Sequence, residues 1–117
     1  MPITMNQYQS LAQRTAQSDH PLMMRKAIAA LGLAGEAGEA ADLIKKEVGH
    51  GHPPDRERIA RELGDVLWYV AEVAACYGLT LGEVAHGNVI KLVERYPDGF
   101  TTAASLARVD TKKGAVT

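Results

Sequence analysis

The sequence predicts an all-α protein, a four-helix bundle in a single domain. Apolar residues recur at helical spacing in four separate stretches. Capping residues, glycines and prolines bound those stretches, and no stretch reads convincingly as a strand. A chain of 117 residues suits one core. Its composition is 46% hydrophobic but only 5% aromatic, with much of the apolar share alanine. So small a set of large side chains favours burying more surface by self-association.

Taken in order, Thr4 caps a first helix from about Met5 to Gln17, with Ile3, Tyr8, Leu11 and Ala12 along one side. The break from Ser18 to Pro21 leads into a long second helix, about Pro21 to Val48, with the proline at its start. Gly32, Gly35 and Gly38 recur every three residues inside it. Each costs up to about 1 kcal/mol against alanine, which points to close approach of a ligand or another backbone, or to tight helix packing. GHGHPP, Gly49 to Pro54, stops that helix, and Asp55 caps a third from about Arg56 to Tyr77. Gly78 ends the third, and Thr80 caps a fourth from about Leu81 to Arg95. A short helical turn is expected around Ser105. The domain is placed at residues 1–109, with 110–117 a flexible tail.

The formal net charge of −1 leaves no basic excess and so disfavours a large duplex-binding footprint. Cys76 is the single cysteine, so no intrachain disulfide or CxxC motif exists. The N-terminal MPITMNQYQSLAQ has no secretory pattern, and no run of about 18 apolar residues could span a membrane. The expected setting is soluble, reducing and cytoplasmic.

Two helices carry acids where a bundle helix should carry leucines. On helix two, Leu33, Ala40 and Ile44 share a face, with Glu36 inside the stripe and Glu39 at its margin. On helix three, Glu62 falls within the stripe of Ile59, Val66, Val73 and Tyr77, and Asp65 at its edge. Both pairs have i, i+3 spacing, about 5–6 Å apart on one face. Packed antiparallel, the two helices would direct four carboxylates into one pocket. Buried acids need a partner, a shifted pKa or a metal. Mg²⁺ suits an all-oxygen set, and the lack of a neighbouring His or Cys disfavours zinc. Against this, an isolated ExxE is usually a solvated face, and periodicity alone leaves the two readings evenly matched.

On helix four, Val84, Asn88, Lys91 and Arg95 line one stripe. Lys91 and Arg95 read in isolation as C-terminal cations favoured by the helix dipole. Next to four acids and a metal, phosphate binding becomes the better reading, with arginine able to fork.

EAGEAADLIKKE, ELGDVLWYV and NVIKLVERYPDGF together resemble the MazG-like nucleoside triphosphate pyrophosphohydrolases of the all-α NTP pyrophosphatase superfamily, over roughly Tyr8 to Arg108. That superfamily also holds dimeric dUTPases and phosphoribosyl-ATP pyrophosphohydrolases. The resemblance implies a MazG-like bundle completed by oligomerisation, as a homodimer or homotetramer. It implies hydrolysis of (deoxy)nucleoside triphosphates to monophosphate and pyrophosphate, in house-cleaning of non-standard nucleotides. Carried over, Glu36, Glu39, Glu62 and Asp65 become ligands of Mg²⁺, with Mn²⁺ a substitute. Glu39 orients or deprotonates the attacking water, and Asn88, Lys91 and Arg95 contact phosphates. A base-selective enzyme for dUTP, dCTP or a phosphoribosyl nucleotide is the alternative within the fold. A non-catalytic nucleotide-binding regulator is the alternative outside it. No GxxxxGK[ST] loop is present.

Other residues read as structural. His50 and His52 lack a third ligand, Cys76 is a small buried hydrophobe, and Trp68 is expected to project away from the acid stripe. Glu47 and Glu72 lie near that stripe, with a weaker claim on a metal than the four named.

Overall fold

The computed structural model describes residues 2–17 and 19–114. Its helices are α1 (Met5–Gln13), α2 (Leu22–His50), α3 (Arg56–Cys76), α4 (Leu81–Arg95), α5 (Thr102–Ala107) and α6 (Val109–Gly114). The described residues contain no strand, only an isolated bridge between Pro97 and Gly99. The all-α class expected from the periodicity is what the chain adopts. By contacts it forms two units, residues 1–81 and 82–117.

In the first unit, α1 opens on a capping box. The Gln7 N–H donates to Thr4 Oγ1 at 3.0 Å, and the Thr4 N–H donates to Gln7 Oε1 at 2.7 Å. The helix stops four residues short of the expected end. The N–H groups of Arg14, Thr15 and Ala16 each reach back three residues, to Leu11, Ala12 and Gln13. The Thr15 hydroxyl also donates to the Ala12 carbonyl at 2.7 Å. Tightened i−3 bonds of this kind end a helix rather than extend it.

α2 runs 29 residues without interruption by its glycines. It ends at Gly51, whose φ of 71° places it in the left-handed region that glycine enters without cost. Asp55 then caps α3, its Oδ1 accepting the Arg58 N–H at 3.1 Å. α2 and α3 make the largest helix pair, and α1 packs on α3. Their partners run in opposite order, Gly32 against Tyr69 and Glu36 against Asp65, so the pair is antiparallel, as expected.

The core is small. Ala12, Ala29, Ala40, Ala71, Ala74 and Cys76 are buried, and Leu81 is the largest side chain fully enclosed. Tyr8, Leu67 and Val70 pack around Ala71, Ala74 and Leu81. Buried Gln9 ties α1 to this cluster. Its amide donates to the carbonyls of Ala71 and Leu79 at 3.3 and 3.1 Å, and its Oε1 accepts the Leu81 N–H at 2.9 Å. Alanine burial leaves large apolar side chains exposed along α2, among them Met23, Leu31 and Val48.

In the second unit, α5 covers the turn expected at Ser105, capped by Thr101, whose hydroxyl accepts the Ala104 N–H at 3.0 Å. Beyond Val109 a frayed tail was expected, and the chain instead forms α6 to Gly114. Asp110 anchors it through paired bonds to Arg95, a contact invisible to local propensity. Residues 115–117 of the expected tail lie outside the described residues.

Candidate active site

Antiparallel packing of α2 on α3 brings Glu36, Glu62 and Asp65 together, with one carboxylate oxygen from each within 4.8 Å of the others. Oε2 of Glu36 and Oε2 of Glu62 are buried with no hydrogen-bond partner. A buried acceptor left unpaired costs about 1–3 kcal/mol, more when charged. Burial raises the Glu36 carboxyl to about 7, helped by the charge of Glu39, a side-chain bond to it, the charge of Asp65 and a bond to Glu62. Asp65 in turn adds to the effect of burial in raising the Tyr8 phenol.

Glu39 is close enough to act on Glu36 but stands outside the trio. It lines a recess of about 370 Å³ with Gly35, Gly38, Asp42, Arg58 and Glu62. A β-carbon at Gly35 or Gly38 would meet nothing within 4 Å, so these two glycines keep space open beside the acids rather than admit a packed neighbour. Gly32 differs, since the Tyr69 ring fills the place of its missing β-carbon.

A second recess of about 330 Å³ is lined by Glu36, Asp65, Trp68 and Tyr69. Trp68 therefore borders the acids and does not project away from them. Helical projection put it at the wrong edge because α1 also claims a face of α3, and the Trp68 Nε1–H donates to Thr15 Oγ1 at 2.8 Å. Glu72 is likewise separate from the trio. It is buried and accepts from Arg25, from Gln13 Nε2 at 3.4 Å and from the Cys76 thiol at 3.6 Å. Burial and then the Glu72 charge raise that thiol.

Asn88, Lys91 and Arg95 lie on α4 in the second unit. Asn88 and Lys91 are exposed. Arg95 forks onto Asp110, Nε to Oδ1 at 2.6 Å and Nη2 to Oδ2 at 2.8 Å. That fork raises the Arg95 pKa and lowers that of Asp110. Sequence reasoning missed Arg58, on the recess with Glu39 and Glu62, and Arg25, bound to Glu72, because a cation at a helix start carries no periodic signal. Lys45 and Lys46 are bound to Asp42 at 2.9 and 3.0 Å.

The three oxygens and two orphaned acceptors fit a hard divalent cation. The donor set is all carboxylate, which suits Mg²⁺ or Mn²⁺ and not zinc. The model of the MazG nucleotide pyrophosphohydrolase domain matches residues 25–100. The chain belongs to the MazG family. That match takes in all four acids and the α4 residues, while α1 and the turn after it fall outside the MazG span. The Gene 37 protein of Mycobacterium phage L5 is 40% identical over 73 residues, 59% of this chain and 64% of that relative. The chain thus spans less than two thirds of this curated relative. No solved structure matches.

Proposed function

We propose that this MazG-family chain hydrolyses (deoxy)nucleoside triphosphates to nucleoside monophosphate and pyrophosphate, with Glu36, Glu62 and Asp65 holding Mg²⁺. The observation that carries the reading is the pair of buried, unpartnered oxygens on Glu36 and Glu62 beside Asp65. Bound there, a divalent cation would neutralise phosphate charge and lower the pKa of a water.

The chain's own residues supply the rest. Glu39, at the rim beside Gly35 and Gly38, accepts a proton from water as the water oxygen bonds to the α-phosphorus. The bond from that phosphorus to the bridging oxygen breaks, and pyrophosphate leaves with its electron pair. Arg58, on the same recess, pairs with the departing charge. Asn88, Lys91 and Arg95 remain candidate phosphate contacts, and Arg95 would have to exchange Asp110 for phosphate. Positioning and electrostatics of this kind supply most of the rate in phosphoryl chemistry.

The apolar side chains left exposed on α2 support assembly with further copies of this chain, as a homodimer or homotetramer. A cytoplasmic, house-cleaning role accompanies this reading. No helix of the described residues is long and apolar enough to cross a membrane.

Pyrophosphate release over a panel of nucleotides, with Mg²⁺ and with EDTA, tests the function. Release that needs the metal and disappears in Glu39→Gln with the fold kept is the expected result. Metal-independent release, or none from any nucleotide, would overturn it.

A further inference from the structure

Next to the recess that holds Glu36 and Asp65 lies another, of about 320 Å³, whose walls include Thr15, Arg25, Ile28, Trp68, Tyr69 and Glu72. The two share Trp68 and Tyr69 as a common edge. These rings meet nearly at right angles, 81°, with centroids 5.0 Å apart. Trp68 is held in place by Thr15. The size falls in the range of small-molecule sites, and aromatic side chains beside the acids offer a surface on which a heterocycle can pack.

Beside Arg25 and Glu72 this cavity is biased toward donors. Glu72 is nearly enclosed, and its carboxylate already accepts from Arg25, Gln13 and Cys76. Arg25 keeps 22% of its side chain exposed. A guanidinium carries five N–H donors and no acceptor, so the bond to Glu72 fixes its orientation and leaves donors over. Gln17 and His20 also line the cavity and bond to one another at 3.2 Å, so a group entering beside Glu72 meets a positioned donor and an acceptor that is already occupied.

We propose that this cavity takes the base of the nucleotide, and that Arg25, anchored by Glu72, selects bases that present a carbonyl oxygen over adenine. The assignment rests on the nucleotide reading of the acid set. A carbonyl, as in hypoxanthine, guanine or uracil, accepts from the guanidinium. The amino group of adenine is itself a donor and would face Arg25 unpaired, a mismatch that polar sites reject strongly. Arg25 is thus a specificity-determining residue, and Glu72 a positioning residue acting through it.

Trp68 is the single tryptophan, so its fluorescence reports on this cavity directly. Inosine and adenosine, which differ at the C6 substituent, are titrated into the full chain in EDTA. Saturable quenching with inosine binding about tenfold tighter than adenosine is expected, the value of one good base contact. Arg25→Met should bring the two affinities together. Should that variant fail to fold, Ile28→Phe, at a wall position 43% exposed, should weaken both nucleosides by filling the space. No saturable quenching, equal binding of both nucleosides to the unaltered chain, or unchanged affinities in Ile28→Phe would overturn the proposal. The nucleosides carry no phosphate and the titration no metal. Selective binding without pyrophosphate release would therefore sink only the hydrolase reading.

Discussion

The ring of Tyr69 occupies the position that a β-carbon on residue 32 would need. This contact sets how closely α2 and α3 approach, one helical turn from Glu36 on one side and from Asp65 on the other. The acid cluster depends on that approach, since its members come from both helices.

Gly32→Ala should therefore destabilise the chain by about 1–3 kcal/mol, the usual cost of overpacking, although alanine is the better helix former. Gly35→Ala, where a methyl group meets open space, should instead be neutral or stabilise by up to about 1 kcal/mol. Urea unfolding of the two variants decides it. Equal effects would remove the distinction between the two glycines.

Gln9→Leu should cost about 1–3 kcal/mol. It strands the buried Leu81 N–H and removes donors from the Ala71 and Leu79 carbonyls. Hydrogen exchange at the Leu81 amide would rise well before global unfolding does. An unchanged exchange rate there would mean that Gln9 does not hold α1 to α3.

The Glu36 carboxyl stands at about 7 in the fold, against an ordinary value of 4.5. The folded chain thus binds this proton more tightly than the unfolded chain. Its contribution to stability is complete below pH 4.5 and is lost as pH rises to about 7. Asp42, lowered to about 2 by Lys45 and Lys46, titrates below this window. Denaturant midpoints in EDTA should fall between pH 4.5 and 8, and Glu36→Gln should flatten that fall. A slope that persists in the variant would point to another group.

Mg²⁺ added near pH 8 should raise the melting temperature of the unaltered chain. At one hundred times the dissociation constant the gain is about 2.7 kcal/mol. Glu62→Gln and Asp65→Asn should each abolish most of that rise while leaving the metal-free melting point equal or higher, because they relieve crowded charge. Lys91→Ala, outside the acid set, is the control and should respond to Mg²⁺ as the unaltered chain does.

Helix positions and caps could be read locally. Thr4 and Asp55 carry side chains that satisfy backbone N–H groups a few residues away, and such contacts need no distant partner. The i, i+3 acids were legible for the same reason, since 3.6-residue periodicity put Glu36 and Glu62 inside apolar stripes. Glu72 and Trp68 were harder, because α1 packs on a second face of α3. A single stripe could not say which neighbour each would meet.

Composition and spacing alone thus determined an all-α chain with two acidic pairs on adjacent helices, because helical geometry repeats within a few residues. Only the tertiary structure decided that Glu36, Glu62 and Asp65 converge, that Glu72 belongs to Arg25, and that Asp110 claims Arg95. Each of these pairings closes a loop of many residues. Its energy is set by burial and by what else competes for the charge, neither of which is written in local sequence.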